Sequence, residues 1–225
     1  MTLQDRKITV LGEVASCSFL LLQPADGDEP GMQEEEFRLL KDLCSETACA
    51  LAFFSVDWWQ DLTPWPAAPV FRGQPGFGDG AERTLAFVTQ ALLPALLPAG
   101  KRPRVILGGY SLAGLFALWA GYRTDRFDGI VAASPSVWYP GWGEHAAAQA
   151  FRAKQAYLSL GDKEAKTRNP VMRTVDEAIR AQQASLEKQG IPSVLEWNPG
   201  NHFVDAALRT AKGFAHCMKN LEERY

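Results

Sequence analysis

Ser111 stands in Gly109-Tyr110-Ser111-Leu112-Ala113-Gly114, between the apolar run Arg104 to Leu107 and an apolar segment that reaches Ala120. A serine hydroxyl on a sharp turn from strand to helix can attack a carbonyl carbon. Such a turn brings two backbones together, so the positions two before and two after the serine must be small, and Gly109 and Ala113 are. An ordinary serine in a Gly-rich turn or a phosphate-cradling loop would share these letters, but no G-x-G-x-x-G register and no Walker lysine accompany them. Serine alone is a weak nucleophile, so an imidazole must lie within reach and a carboxylate must orient that imidazole. The chain has three histidines. His202 follows the run Ser193 to Trp197 through Asn198-Pro199-Gly200-Asn201 and precedes the final helical pattern. It therefore projects from the carboxyl end of a strand, where open α/β sheets bind ligands. His216 lies inside that helical pattern and His145 opens an Ala-rich segment, so His202 is the expected base. The acid is sought after the preceding run, Ala156 to Leu160, where the chain reads Gly161-Asp162-Lys163-Glu164. Glu164 is preferred and Asp162, which also suits a turn, stays as the alternative.

Attack on a carbonyl also needs donors aimed at the developing oxyanion, and the N–H of the residue after the nucleophile, Leu112, is one. A second donor is expected in the loop Gln23-Pro24-Ala25-Asp26-Gly27, from Ala25 or its neighbour. Five of the seven tryptophans, Trp58, Trp59, Trp65, Trp138 and Trp142, fall in two Gly/Pro-rich stretches, Trp58 to Gly80 and Ser134 to Gly143. With Tyr110 they would wall a substrate pocket, or simply plug a small domain that has no cap.

Elements to position these groups are legible. Strands are expected at Ile8 to Leu11, Cys17 to Leu22, Ala50 to Val56, Arg104 to Leu107, Phe127 to Ala133, Ala156 to Leu160 and Ser193 to Trp197. Most are continuously apolar, as in strands buried on both faces. Apolar stripes at helical spacing lie between them: Phe37, Leu40 and Cys44; Leu85, Val88 and Leu92; Val175, Ile179 and Leu186; Leu208, Ala211, Ala215 and Met218. Pro94 should kink or end the second of these. Glu34-Glu35-Glu36 reads as the acidic first turn of a helix that begins near Met32. The expected fold is α/β, a doubly wound, mostly parallel sheet with helices on both faces, as a single domain over 1–225 with no large cap.

With 225 residues, 47% apolar and 22% charged, and a net charge of −3, the chain can bury roughly 70% of its surface on folding. Disorder is excluded, and no nucleic-acid partner is expected. No apolar run approaches the ~18 residues of a membrane helix, and the N-terminus lacks the pattern of a signal peptide. A cytoplasmic location and no membrane partner are expected. Cys17, Cys44, Cys49 and Cys217 show no ligand spacing and read as reduced thiols, so neither metal nor other cofactor is expected.

Taken together the residues resemble the α/β-hydrolase superfamily, more narrowly the esterases that include esterase D and the siderophore (enterobactin-type) esterases. The carriers are Asp61-Leu62-Thr63-Pro64-Trp65, Gly109 to Leu115, Ser134-Pro135-Ser136-Val137-Trp138-Tyr139 and Leu160 to Glu164. The order serine, acid, histidine is also that of α/β-hydrolases. Two positions depart from the group: Ala113 replaces the commoner glycine, and Gln23-Pro24 stands where His-Gly is usual. The resemblance implies hydrolysis of a small-molecule carboxylic ester through an acyl-enzyme. Acyl transfer to an alcohol or sugar, and a binding protein with a dead site, are the rival expectations. Natural substrate and oligomeric state are not legible.

Overall fold

The computed structural model describes residues 1–27, 30–70, 73–97, 100 and 102–223. Its strands are β1 (Thr2–Leu3), β2 (Arg6–Leu11), β3 (Phe19–Asp26), β4 (Cys49–Val56), β5 (Arg104–Tyr110), β6 (Gly129–Ala133), β7 (Ala156–Gly161) and β8 (Ser193–Asn198). They form one sheet in the order β1-β2-β4-β3-β5-β6-β7-β8. Pairing is parallel from β4 through β8 and antiparallel only at the β1–β2 and β2–β4 edge. The parallel strands are buried on both faces because each crossover must carry a helix over the sheet.

The helices are α1 (Pro30–Leu43), α2 (Ala81–Phe87), α3 (Leu93–Leu96), α4 (Leu112–Arg123), α5 (Trp142–Ala148), α6 (Val175–Lys188) and α7 (Ala206–Glu222). One core, on the α1 and α7 side, gathers Leu40, Phe214 and Met218 against Phe19, Leu21 and Val131. The other gathers α4, α6 and the α2–α3 segment against Leu20, Leu107 and Leu158. Helix α4 is apolar on every side, and all residues from Leu112 to Tyr122 are buried, as a helix enclosed by sheet and neighbours requires.

Two expectations are corrected and one is refined. Around Pro94 the regular helix is interrupted: a π-turn over Val88–Leu92 separates α2 from the short α3, which holds Pro94 in its first turn and ends at Leu96. Helix α1 starts at Pro30, so Glu34 to Glu36 lie beyond its first turn; Glu35 pairs with Arg38 outside while Glu36 is buried. The buried face of α7 is set by Thr210, Ala211, Phe214, Cys217, Met218 and Leu221, with Ala215 partly buried against the same core and Leu208 outside it, and it includes Arg209.

Candidate active site

Ser111 sits between β5 and α4 with φ 58° and ψ −119°, a backbone conformation that lifts its side chain off the sheet edge and is costly for a residue with a Cβ. The turn is tight. A Cβ added at Gly109 would lie 2.5 Å from Cβ of Ala113, and one at Gly114 would lie 3.0 Å from the Gly109 carbonyl. Ser111 N–H donates to Ala133 O at 3.1 Å, and its carbonyl accepts from the N–H of Leu115 and of Ser136. The strain is thus held by β6, by α4 and by the Ser134–Ser136 turn.

His202 Nε2 is 3.1 Å from Ser111 Oγ, and His202 Nδ1 is 2.7 Å from Glu164 Oε2. A carboxylate can only accept, so Nδ1 carries the proton and Nε2 presents its lone pair to the serine hydroxyl. Glu164 is buried, and burial by itself raises its pKa. The hydrogen bond and charge of His202, the Ser134 hydroxyl and the Gly161 N–H outweigh that and leave the pKa below its usual 4.5. The second oxygen, Oε1, accepts from Ser134 Oγ at 2.7 Å, Gly161 N–H at 2.7 Å and Arg209 Nη1 at 3.0 Å.

Arg209 is 1% exposed, and the spacing of apolar residues in α7 gave no hint of it. Its Nη1 also donates to Tyr110 Oη and Ser134 Oγ, and its Nη2 donates to the carbonyls of Pro199 and Asn201. One guanidinium thereby binds the acid, the end of β5, the start of the β6 turn and the loop carrying His202. Its planar fork of donors allows this where a lysine could not. Ser134, with φ 44°, and Ser136, whose Oγ lies 3.4 Å from that of Ser111, were legible only as parts of the Ser-Pro-Ser string.

The other expected residues separate into those near Ser111 and those elsewhere. A cavity of ≈ 150 Å³ over Ser111, Leu112, Ser136 and His202 is walled by Trp58, Trp59, Phe77, Trp138, Met172 and Phe203. Trp65 and Trp142 do not line it. Trp65 Nε1 donates to Pro140 O while its ring packs on Tyr139 and His145, and Trp142 is buried with its Nε1 on Gln182. These two rings plug the loop base instead. Tyr110 is no simple pocket wall either, since its hydroxyl donates to His202 O at 2.8 Å. Asp162 is exposed and does not touch His202; it accepts the Gly200 N–H at 2.8 Å, stitching the β7 turn to the His202 loop.

Leu112 is the first residue of α4, where N–H groups have no partner within the helix. Ala25 is not in a loop. β3 continues to Asp26, with Ala25 opposite Ser55 of β4, and Ala25 lines a different cavity. The strand outlasts its apolar run because β4 keeps pairing with it. His145 packs among Trp65, Tyr122 and Trp142, and His216 is bound to Asn220, both remote from Ser111.

No family model matches the chain. It is 30% identical to siderophore enterobactin esterase of Emericella nidulans over 151 residues, 57% of this chain and 49% of that protein. It is 40% identical to siderophore triacetylfusarinine C esterase of Aspergillus fumigatus over 84 residues, 35% of this chain and 27% of that protein. The matches thus span half or less of these curated relatives. Among solved structures, siderophore hydrolase EstA from Aspergillus nidulans superposes with a TM-score of 0.69 at 19% identity, covering 96% of this chain and 90% of that one. Strand order, the turn at Ser111 and the structural likeness agree on an α/β-hydrolase fold, and the curated proteins to which the chain is similar over part of their length are named as siderophore esterases.

Proposed function

We propose that the protein is a serine hydrolase that cleaves carboxylic esters through an acyl-enzyme. The observation that carries this reading is the continuous chain from Ser111 Oγ to His202 to Glu164, at 3.1 and 2.7 Å. His202 Nε2 takes the hydroxyl proton as Ser111 Oγ attacks the ester carbonyl. The imidazolium then gives that proton to the departing alkoxide, and a water activated by the same nitrogen releases the acid. Glu164 stabilises the imidazolium without taking its proton, in keeping with its lowered pKa. Leu112 N–H supplies one oxyanion donor at the amino end of α4, where the helix dipole favours negative charge.

Aromatic walls at Trp58, Trp59 and Trp138 suit the apolar or aromatic part of a small-molecule ester. The curated relatives are named for siderophore esters, so esters of that class are the first to assay. No helix among the described residues is long and apolar enough to cross a membrane, and we place the activity in the cytoplasm as part of this reading. The test is labelling with a fluorophosphonate and turnover of 4-nitrophenyl acetate. Wild type is expected to do both and Ser111→Ala neither, with the same melting temperature; labelling retained in Ser111→Ala removes the serine from its role.

A further inference from the structure

A second cavity, of ≈ 320 Å³, opens at the same sheet edge between the end of β3, α1 and the start of α7. Its origin is topological. β3 stays beside β4 out to Asp26 opposite Val56, but its pairing with β5 ends at Leu22 opposite Leu107. The helices that follow β3 and β5, α1 and α4, cover opposite faces. The sheet therefore parts at its switch point, the place where open α/β sheets bind ligands. Trp58 lines both this crevice and the cavity over Ser111, and Tyr110, next to the serine, lines the crevice too.

The polar lining of the crevice, which also includes buried Gln33 and Thr210, holds a buried pair. Gln23 is 8% exposed and Glu36 is 6% exposed. Gln23 Nε2 donates to Glu36 Oε2 at 3.0 Å, which leaves Gln23 Oε1 and Glu36 Oε1 with no hydrogen-bond partner. A buried polar atom left unpaired costs about 1–3 kcal/mol, so two such oxygens beside one cavity ask for a donor. Among the described residues that line it there is no Lys, Arg or His. The titratable groups facing Glu36 across the crevice are Asp26, exposed at the end of β3, and Tyr110, whose hydroxyl is taken by His202 O and Arg209; α7 contributes Ala206, Ala207 and Thr210. Trp58 and Phe53 add aromatic faces. Donors, positive charge and affinity for an aromatic face occur together in an ammonium group.

We infer that the crevice binds a protonated primary amine, and that the preferred esters carry such a group on the arm lying past Trp58. The second half rests on Ser111 as nucleophile; the first does not. Burial pushes the Glu36 pKa up to about 8, against the Gln23 hydrogen bond. The carboxyl is then neutral near neutral pH. An arriving ammonium keeps its own proton, and Glu36 releases one to solvent as the ion pair forms.

Calorimetric titration of n-butylammonium chloride and of n-butanol, near neutral pH in two buffers of different ionisation heat, tests the site on wild type and Ser111→Ala. Butylammonium is expected to bind both proteins alike, at least ~tenfold tighter than butanol, a gap of ~1.4 kcal/mol, with proton release. Glu36→Gln is expected to erase that preference. Should that variant not fold, Ala207→Phe, which narrows the crevice from α7, is expected to abolish butylammonium binding. Equal binding of the two probes, or a preference that survives Glu36→Gln, overturns the inference. The ratio of kcat/KM for 4-nitrophenyl ω-aminoacyl esters over n-acyl esters of equal length is expected to exceed one in wild type and to fall to one in Glu36→Gln. Butylammonium binding without any ester turnover sinks the esterase reading and leaves the amine site; turnover without amine preference, with binding intact, sinks the substrate half alone.

Discussion

At Ser111 the backbone holds φ 58°, a departure that costs on the order of 1–3 kcal/mol in a residue with a side chain. Ser111→Gly is therefore expected to lose turnover, by at least ~10⁴-fold, while unfolding no sooner than wild type, and up to ~1 kcal/mol later. Denaturant melts beside an ester assay check both halves. In Glu164→Gln the donors Ser134, Gly161 and Arg209 hold the amide oxygen, which turns the amide N–H toward His202 Nδ1 in place of an acceptor, and a fall in kcat of about 10²–10⁴ with little change in KM is expected. Arg209→Met leaves the buried Glu164 carboxylate short of its cation and is expected to destabilise the fold by about 3–5 kcal/mol; Arg209→Lys should restore charge but not the fork that reaches Tyr110, Pro199 and Asn201. Much of this site was legible, because Ser111 and His202 each follow a strand and Gly-rich turns mark both positions. Sequence favoured Glu164 and kept Asp162 as the alternative, since both sit in one turn; in the fold Asp162 takes the Gly200 N–H and Glu164 takes His202. Arg209 was illegible for a different reason. Its neighbours in α7 mix polar and apolar residues, and nothing local distinguishes a guanidinium facing water from one facing a carboxylate 45 residues away in sequence.

Among the elements, the β7 turn and the β8–α7 loop touch through glycine. A Cβ at Gly161 would lie 2.4 Å from the Gly200 carbonyl and 3.0 Å from both Arg209 Nη1 and Glu164 Oε1. Gly161→Ala is expected to push the two loops apart, costing about 1–3 kcal/mol and lowering kcat even where the protein stays folded; thermal melting and acetate-ester kinetics separate the two effects. The strands were legible because parallel strands are apolar throughout, yet their carboxyl ends were not. β3 runs on through Gln23, Pro24 and Ala25 because β4 continues beside it, and β5 runs on through two glycines because β6 does. Those extensions decide where Ala25 sits and open the crevice between β3 and β5. The two-residue β1 was missed, being too short to show a pattern.

For the molecule as a whole, two buried carboxyls pull stability in opposite directions with pH. Glu164 is held below its usual pKa, so its contribution is full above 4.5 and is lost as the pH falls through the lowered value. Glu36 is raised from 4.5 to about 8, so the folded state binds a proton that the unfolded chain has released, and stability declines as the pH rises between those values. Melting temperatures are expected to drift downward over that interval in wild type, and the drift is expected to flatten in Glu36→Gln. The buried guanidinium of Arg209 reaches further than any of these. Because a single group fastens side chains or carbonyls from β5, the turn after β6, the β7 turn and the His202 loop, none of those four can loosen without disturbing the others. Heat or denaturant should thus never yield a species that has frayed along this rim yet still turns over, and the activity lost on warming becomes a direct gauge of how many molecules still hold their last helix in place.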